Sequence, residues 1–259
     1  MADVWVCSQC RSINEGKNRC YKCRSPKEAV AMAPTDLPTI GSSAPVAVVG
    51  RFRSSSFRAV ITSVCILGLA VTTLIGVILA TEALSPAGSR ATTSALLPTA
   101  IQVGFARLAL VIASLVTFAA WLSRVVDNIP RITGSYPQAT PRSTIIEVLV
   151  PFFNFFRIPA ILREALRLLD PRGNGDALVG AAVLPLITGL LLDWPIGIVA
   201  GFVIALAAGS AQQQLDALLV YTQVRTALIV IGSVMLVVVI ARIERRSTTR
   251  AREALGAAA

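Results

Sequence analysis

Histidine is absent from this chain of 259 residues, and charged residues make up only 15% of it. Without histidine, the chain lacks the commonest general base near neutral pH and any His-containing metal site. Acidic residues are scarce too, with 14 against 24 basic ones. Hydrophobic residues reach 54% and the mean hydropathy is +0.70, far from the balance of a soluble globular domain. A lipid bilayer is therefore the expected surrounding of most of the chain.

Lysine is absent after residue 28. All three lysines lie in residues 1–28, while the other 21 basic residues are arginines, so this segment is interpreted as a separate module. The first long apolar run begins near Ala59 and follows a polar segment with cysteines. No secretory signal peptide is therefore predicted, and we expect the N-terminus to stay on the side where it is made. Arginines that flank apolar runs explain the net charge of +10 better than nucleic-acid binding does.

Four of the five cysteines form two C-x-x-C pairs, Cys7 with Cys10 and Cys20 with Cys23. Two such pairs at this separation can close four thiolates tetrahedrally around one Zn²⁺, and so short a segment needs the metal to fold. The alternatives are two disulfides, or reduced thiols in a disordered tail. Disulfides require an oxidising compartment, whereas the topology below places this end in the cytoplasm. A structural zinc is therefore favoured.

Trp5 stands two residues before the first of these cysteines, and Asn14 stands four residues after the second. With the paired cysteines, they resemble the Ran-binding-protein-type zinc finger over residues 4–24, although the gap after Asn14 is one residue shorter than usual. The resemblance implies a structural Zn²⁺ and a surface that contacts another macromolecule. That surface would include Trp5, Arg11, Asn14 and Arg19.

Three residues bear on what such a finger contacts. Relatives that bind ubiquitin carry a Thr-Phe pair after the second cysteine, where this chain has Arg11 and Ser12. Other relatives stack single-stranded RNA bases on aromatic side chains between arginines. Here Glu15 occupies the position of the expected aromatic. A protein contact or a purely structural finger is therefore favoured over an RNA reader.

The rest of the chain predicts an all-α membrane protein with four spans. Residues 29–57 read as a flexible tether rich in Pro, Ala and Ser. Apolar runs then predict the spans, at residues 59–80, 101–121, 177–209 and 225–241. The third run has 33 residues, about 50 Å as one straight helix. It is either one tilted helix or a helix interrupted at Asp193-Trp194-Pro195, where an acid, an aromatic and a helix breaker coincide.

The distribution of basic residues favours four membrane crossings over five. With four spans, 21 of the 24 basic residues share one side, whereas five spans would turn the arginine-rich tail of residues 246–259 outward. The expectation is a multi-pass protein of the inner (plasma) membrane with both termini cytoplasmic. Arg107 is expected to reach toward the headgroups and Trp121 to lie at an interface. A small-residue face could support a helix–helix homo-oligomer, formed by Gly197, Gly201, Ala205 and Gly209.

The polar segment between the span pairs, residues 122–176, holds the most distinctive residues. Residues 144–156 are too few to span and are predicted to be interfacial or re-entrant. Apolar residues from Ile158 to Leu169 recur at helical spacing, which predicts an amphipathic helix in the headgroup plane. Neighbouring aromatics would anchor its entry, namely Phe152, Phe153, Phe155 and Phe156.

This segment also resembles an actinobacterial membrane family, the domain of unknown function 4328, over about residues 57–245. The matching positions are Phe118, Trp121, Leu122, Arg124, Asn128, Pro151, Asn154, Pro159 and Glu164. The resemblance implies two helix pairs joined by such a stretch and carries no assigned activity. A polar motif of Arg124, Asn128, Asn154 and Glu164 is expected either to satisfy backbone groups at the ends of the spans or to bind an anionic headgroup or metabolite.

These features predict a zinc finger (residues 1–28) tethered to a membrane domain (residues 58–245). Glu147, Glu164 and Asp193 are the candidate acids or bases near the membrane, and none is paired with a nucleophile in the sequence. A non-enzymatic adaptor that brings a cytoplasmic partner to the membrane is therefore favoured. The alternative is a small transporter or a lipid- or metabolite-binding protein with its site at the polar motif.

Overall fold

The protein is described here from a computed structural model. The described residues are 4–6, 13–15, 52–84, 90–135, 137–150, 153–170, 173, 175–193, 199, 203–204, 206–207 and 209–256. The chain divides into two compact units, Met1–Pro45 and Val46–Ala259.

In the first unit, strands β1 (Val4–Val6) and β2 (Ile13–Glu15) form an antiparallel ribbon. Trp5 is the partner of Asn14 in this pairing, so the two residues that suggested the finger family are cross-strand neighbours. The first C-x-x-C pair belongs to the six residues that connect the strands. All four cysteines of the two pairs, together with Arg11 and Arg19, lie outside the described residues.

The second unit is helical. Its helices are α1 (Ser56–Leu84), α2 (Arg90–Thr133), α3 (Pro141–Leu149), α4 (Phe153–Leu169), α5 (Gly175–Asp193) and α6 (Ala211–Gly256). Within the described residues, four helices are long and apolar enough to cross a membrane: α1, α2, α5 and α6. The prediction of four apolar spanning helices in an all-helical domain is confirmed, and the architecture is that of a multi-pass membrane protein.

The third span is shorter than the apolar run that predicted it. Helix α5 ends at Asp193, the position where one of the two interpretations placed the interruption. Residues 194–198, through which one straight helix over residues 177–209 would have to continue, lie outside the described residues. Most of the predicted small-residue face, at Gly197, Gly201 and Ala205, lies outside the described residues.

Two helices extend well beyond their predicted spans. Helix α2 continues past Trp121 to Thr133, so the first part of the segment that was interpreted as a connection is helical. Helix α6 runs to Gly256, which makes most of the predicted basic tail part of a 46-residue helix. Arg242 and Arg246 hold this extension to Asp170, at 3.2 and 3.1 Å. Apolar content marked the membrane-embedded part of these helices but not their polar continuations.

The segment that was predicted to lie at the membrane interface forms two helices, α3 and α4. Helix α3 begins with a capping box, in which Thr140 accepts from the Ser143 backbone N–H and the Ser143 hydroxyl accepts from the Thr140 N–H, with Pro141 in the first turn. Helix α4 has the predicted apolar face. Leu162 and Leu166 on that face are almost fully buried among α2, α5 and α6, so the face closes one end of the bundle and is not turned to lipid.

Helices α5 and α6 approach each other through glycines. A Cβ atom at Gly232 would lie 2.5 Å from the backbone N of Leu186, and one at Gly189 would lie 2.7 Å from Ile229 Cγ1. A residue larger than glycine therefore does not fit at either position unless the helices move apart. On the outside of the bundle, α2 exposes an apolar stripe at helical spacing, as expected of a lipid-facing surface. The stripe consists of Ile101, Phe105, Leu108, Ile112 and Val116.

Candidate functional site

The bundle has two polar ends. At the first, here called the α3/α4 end, α1 and α5 begin and α3 and α4 pack across the bundle. Asn128 is buried there at 1% exposure. Its amide donates to the Arg53 carbonyl at 2.7 Å, and its oxygen accepts from the Arg53 backbone N–H at 3.4 Å. This side chain therefore fastens the segment before α1 to α2.

The other residues of the predicted polar motif have separate partners. Arg124 lies 3.6 Å from Asp127 on its own helix. A carboxylate oxygen of Glu164 accepts from the backbone N–H of Gln138 at 2.7 Å, which ties α4 to the connection before α3. Asn154 lies in the first turn of α4, and its side chain is outside the description. None of these contacts joins Arg124, Asn128 and Glu164 to one another.

Trp121 is a core residue and not the interfacial aromatic that was expected. It is fully buried, and its indole N–H donates to Glu244 of α6 at 2.8 Å. Helix α3 is linked to α4 by Arg157, whose Nε donates to Glu147 at 2.9 Å. That hydrogen bond, aided by the charge of Glu147, raises the pKa of the Arg157 guanidinium above its usual range. These contacts hold the elements of this end together.

At the opposite end, three charged residues from three helices meet. Arg107 of α2 and Arg225 of α6 both pair with Asp193, the last residue of α5. Arg225 Nη1 lies 2.7 Å from Asp193 Oδ1, and Arg107 Nη2 donates to Asp193 Oδ2. We call these residues the Arg–Asp–Arg cluster. The expectation that Arg107 extends toward the headgroups was wrong, because its guanidinium turns into the bundle.

This cluster is largely enclosed. Its three side chains are 20–22% exposed, and the Nε atoms of both arginines are buried without a hydrogen-bond partner among the described residues. Tyr221, one turn before Arg225 on α6, donates its hydroxyl to the Leu192 carbonyl next to Asp193. The end of α5 is thus held to α6 by a hydroxyl as well as by charge.

A cavity of about 330 Å³ opens beside the cluster. Both arginines line it, and helices α1 and α2 supply walls that are mostly apolar. The cavity's hydroxyls are those of Thr72, Thr73 and Thr222, and each donates to a carbonyl of its own helix. The guanidinium groups are therefore the charged hydrogen-bond donors on the cavity wall.

The spacing of charged residues in the sequence indicates this cluster, but only when the spans are compared with one another. Sixteen uncharged residues separate Arg107 from Arg124, sixteen separate Asp176 from Asp193, and sixteen separate Arg225 from Arg242. At 1.5 Å per residue, each stretch covers about 24 Å. Because neighbouring spans alternate in direction, equal stretches place the charges at the same two levels. Arg107, Asp193 and Arg225 fall at one of those levels.

A family model described as domain of unknown function (DUF4328) matches residues 85–247. The chain belongs to this family. The DUF4328 region contains α2 to α5, most of α6, the whole Arg–Asp–Arg cluster and the predicted polar motif. Helix α1 and the cysteine-bearing segment precede it, whereas the resemblance noted from the sequence was expected to begin near residue 57. No zinc-finger family matched the chain. No curated protein and no solved structure matches it either.

Proposed function

We propose that this member of the DUF4328 family is a membrane-anchored zinc-finger protein, a non-enzymatic adaptor that brings a cytoplasmic protein to the membrane. The observation that carries the proposal is the division of the chain into a short cysteine-bearing unit and a membrane unit with four apolar helices. An adaptor needs these two parts, one that holds the bilayer and one that stands apart from it.

The donor set of the N-terminal unit fits zinc. Cys7, Cys10, Cys20 and Cys23 would supply four thiolates, which Zn²⁺ prefers in structural sites. The pairing of β1 with β2 supports this interpretation, because the first C-x-x-C pair connects the two strands. A bound Zn²⁺ would supply folding free energy to a segment too short for a sizeable core.

The orientation follows from the charge distribution. An even number of spans puts both termini on one side, and with four spans 21 of the 24 basic residues share it. Positively charged flanks stay on the cytoplasmic side of the inner membrane. The finger would then stand in a reducing compartment, where its thiols remain available to a metal.

The described acids of the membrane unit are engaged in contacts that fit a non-enzymatic role. Glu147 pairs with Arg157, Glu164 accepts from the Gln138 backbone, and Asp193 is shared by two arginines. None of these contacts provides a nucleophile beside a general base. A protein is favoured over RNA as the partner because Glu15, at the end of β2, stands where RNA-binding fingers carry an aromatic.

The alternative function, a transporter or a lipid- or metabolite-binding protein, was placed at Arg124, Asn128, Asn154 and Glu164. The separate partners of Arg124, Asn128 and Glu164 favour structural roles over a shared ligand site there. A binding function has better support at the opposite end of the bundle, beside the Arg–Asp–Arg cluster.

The test of the adaptor compares the full chain with a Cys20→Ser/Cys23→Ser variant, both purified in a mild detergent. The wild type is expected to hold one zinc per chain by elemental analysis, and the variant is expected to hold less than a tenth of that. Cys65→Ser, which changes the cysteine inside α1, is the matched control and should keep the metal.

Proximity labelling from the N-terminus in intact cells then tests the partner. The set of labelled cytoplasmic proteins should shrink for the double variant and stay the same for Cys65→Ser. An identical set for all three proteins would contradict the adaptor role. Absence of zinc from the wild type would contradict the finger.

A further inference from the structure

The Arg–Asp–Arg cluster carries an unbalanced charge. Two guanidinium groups share the carboxylate of Asp193, so the cluster has a formal charge of +1. The buried Nε atoms of Arg107 and Arg225 have no acceptor within the described residues. A buried cation that lacks a counter-charge is costly, and so is a buried donor that lacks an acceptor.

Depth increases this cost. The cluster caps uncharged stretches of sixteen residues, about 24 Å long, whereas a hydrocarbon core is roughly 30 Å thick. Helix α1 has 23 uncharged residues between Arg58 and Glu82, about 35 Å, so its apolar surface continues past the cluster. Helix α2 also stays uncharged for sixteen residues on the far side of Arg107. The charges therefore lie below the edge of the apolar surface, where screening by water is weak.

The cavity provides room for a counter-ion that carries an apolar part. Its volume of about 330 Å³ lies at the lower end of the range for small-ligand sites. Gly76 and Gly104 line it, and a Cβ at either position would meet no heavy atom within 4 Å. Leu79 and Ala83 on α1 and Leu96 on α2 continue the wall beyond the arginines. Such a space fits a charged group beside the cluster and a hydrocarbon group along the wall.

We propose that this cavity binds a phosphate group, with Arg107 and Arg225 as donors. A phosphodiester carries a single negative charge and so neutralises the surplus charge of the cluster. Its oxygens can accept from two guanidinium groups at once, a geometry that arginine favours. Asp193 positions both arginines and sets the net charge that the ligand must match. This site goes beyond the adaptor function and does not depend on the zinc finger.

A phosphate group can reach the cavity from two sources, an anionic membrane lipid or a soluble phosphate compound. The test uses the full chain in a neutral detergent and counts bound molecules by native mass spectrometry. The probes are a short-chain phosphatidylglycerol, the matching diacylglycerol without phosphate, and inorganic phosphate. We expect one phosphatidylglycerol per chain and at least tenfold weaker binding of the diacylglycerol. Saturable binding of inorganic phosphate at a similar concentration would instead assign the site to a soluble phosphate compound.

Variants separate the cavity from general attraction to charge. Arg107→Gln and Arg225→Gln should each weaken phosphatidylglycerol binding at least tenfold. Gly104→Phe keeps every charge but fills the cavity, and it should have the same effect. Gly76→Leu, from the opposite wall, repeats this test if Gly104→Phe lowers the yield of folded protein. Arg246→Gln is the matched control, because it also removes one of two arginines that share an aspartate, here Asp170 at the other end of the bundle.

The proposal is overturned if the wild type binds neither phosphate probe more tightly than the diacylglycerol. It is also overturned if binding survives both cavity-filling variants, or if Arg246→Gln reduces it as much as Arg107→Gln does. In each of these cases the cluster only clamps three helices together. Loss of zinc from the finger should leave phosphatidylglycerol binding unchanged, so failure of the adaptor function and failure of this site can be told apart.

Discussion

Each end of the helical bundle has an aspartate that pairs with two arginines, but the two groups differ in their surroundings. At the α3/α4 end, Asp127 also faces two arginines, Arg124 and Arg131, at 3.6 and 3.0 Å. That group lies outside the sixteen-residue uncharged stretches, and its carboxylate is 32% exposed. Arg107 and Arg225 instead meet Asp193 beside an apolar cavity, and their buried Nε atoms have no acceptor in the part of the chain that the structure describes. Two arginines that share one aspartate therefore contribute differently to stability at the two ends, because depth in the bilayer determines how much water screens the charges.

The largest difference between the ends is expected from removing each central carboxylate. Asp193→Asn leaves two enclosed cations without a counter-charge and should lower the free energy of unfolding by about 3 kcal/mol. Asp127→Asn should cost about 1 kcal/mol or less, since water can replace the lost partner. Urea unfolding of the purified protein in mixed micelles measures both. Equal losses would remove the distinction between the two ends.

The next largest effect concerns the contact that brings Asp193 to Arg225. Gly189 lies one turn before Asp193, and a Cβ there would lie 3.0 Å from the Ile229 backbone N and 3.3 Å from the Arg225 carbonyl. Gly189→Ala should therefore push α5 away from α6 and cost about 2 kcal/mol. Gly104→Ala, where the added atom meets nothing, is the control and should not destabilise the same end. Thermal unfolding in detergent distinguishes the pair, and a stable Gly189→Ala protein would mean that the helices can shift freely.

At the α3/α4 end, the buried amide of Asn128 should matter more than its neighbouring surface groups. Asn128→Ala removes both hydrogen bonds to the Arg53 backbone and should cost about 1.5 kcal/mol. The backbone of residues 52–55 should then exchange its amide hydrogens faster. Ser54→Ala removes an exposed hydroxyl that bonds only to nearby Ser56 among the described residues, at 3.2 and 3.3 Å, and should change both quantities less. Unchanged exchange in Asn128→Ala would show that the segment is held by other contacts.

The smallest effect is expected midway between the ends. Ser233 is fully buried and its hydroxyl has no hydrogen-bond partner within the described ranges, so Ser233→Ala should be neutral or stabilising by less than about 1 kcal/mol. Thr73 is buried as well, but its hydroxyl donates to the Leu69 carbonyl at 2.7 Å. Thr73→Val should therefore cost about 1 kcal/mol. Unfolding free energies in the same micelles test the contrast, and a clear loss in Ser233→Ala would indicate a partner for this hydroxyl.

Apolar content predicted the spans well because bilayer thickness sets the length of an uncharged stretch. The predicted spans at residues 59–80 and 101–121 fall inside α1 and α2, and the interruption at Asp193 was one of two stated interpretations. The helical period between Ile158 and Leu169 also predicted the apolar face of α4. The expectation that this face meets the membrane was wrong, however, because the face packs against the protein core. An amphipathic period is the same whether the apolar face meets lipid or protein, so Leu162 and Leu166 did not reveal that they complete the core.

The candidate sites also divide into those formed by residues close in sequence and those that depend on the fold. The two C-x-x-C pairs are local, so their chemistry can be inferred without a fold, and zinc at Cys7, Cys10, Cys20 and Cys23 stays a prediction. Arg124, Asn128 and Glu164 are also near one another in sequence, which suggested a shared site. Each instead binds the partner that its own helix brings within reach. Arg107 looked like an isolated charge because its partner, Asp193, is 86 residues away.

The sequence by itself predicted that this protein has four apolar helices long enough to cross a membrane, and such helices are present in the described residues. This property depends on length and hydropathy, which act along the chain. Only the tertiary structure decided which charges meet. Whether Arg107, Asp193 and Arg225 form one cluster depends on how three separate helices rotate and pack. Gly189 and Gly232 set that packing through a close approach of α5 and α6 that appears only when both helices are present.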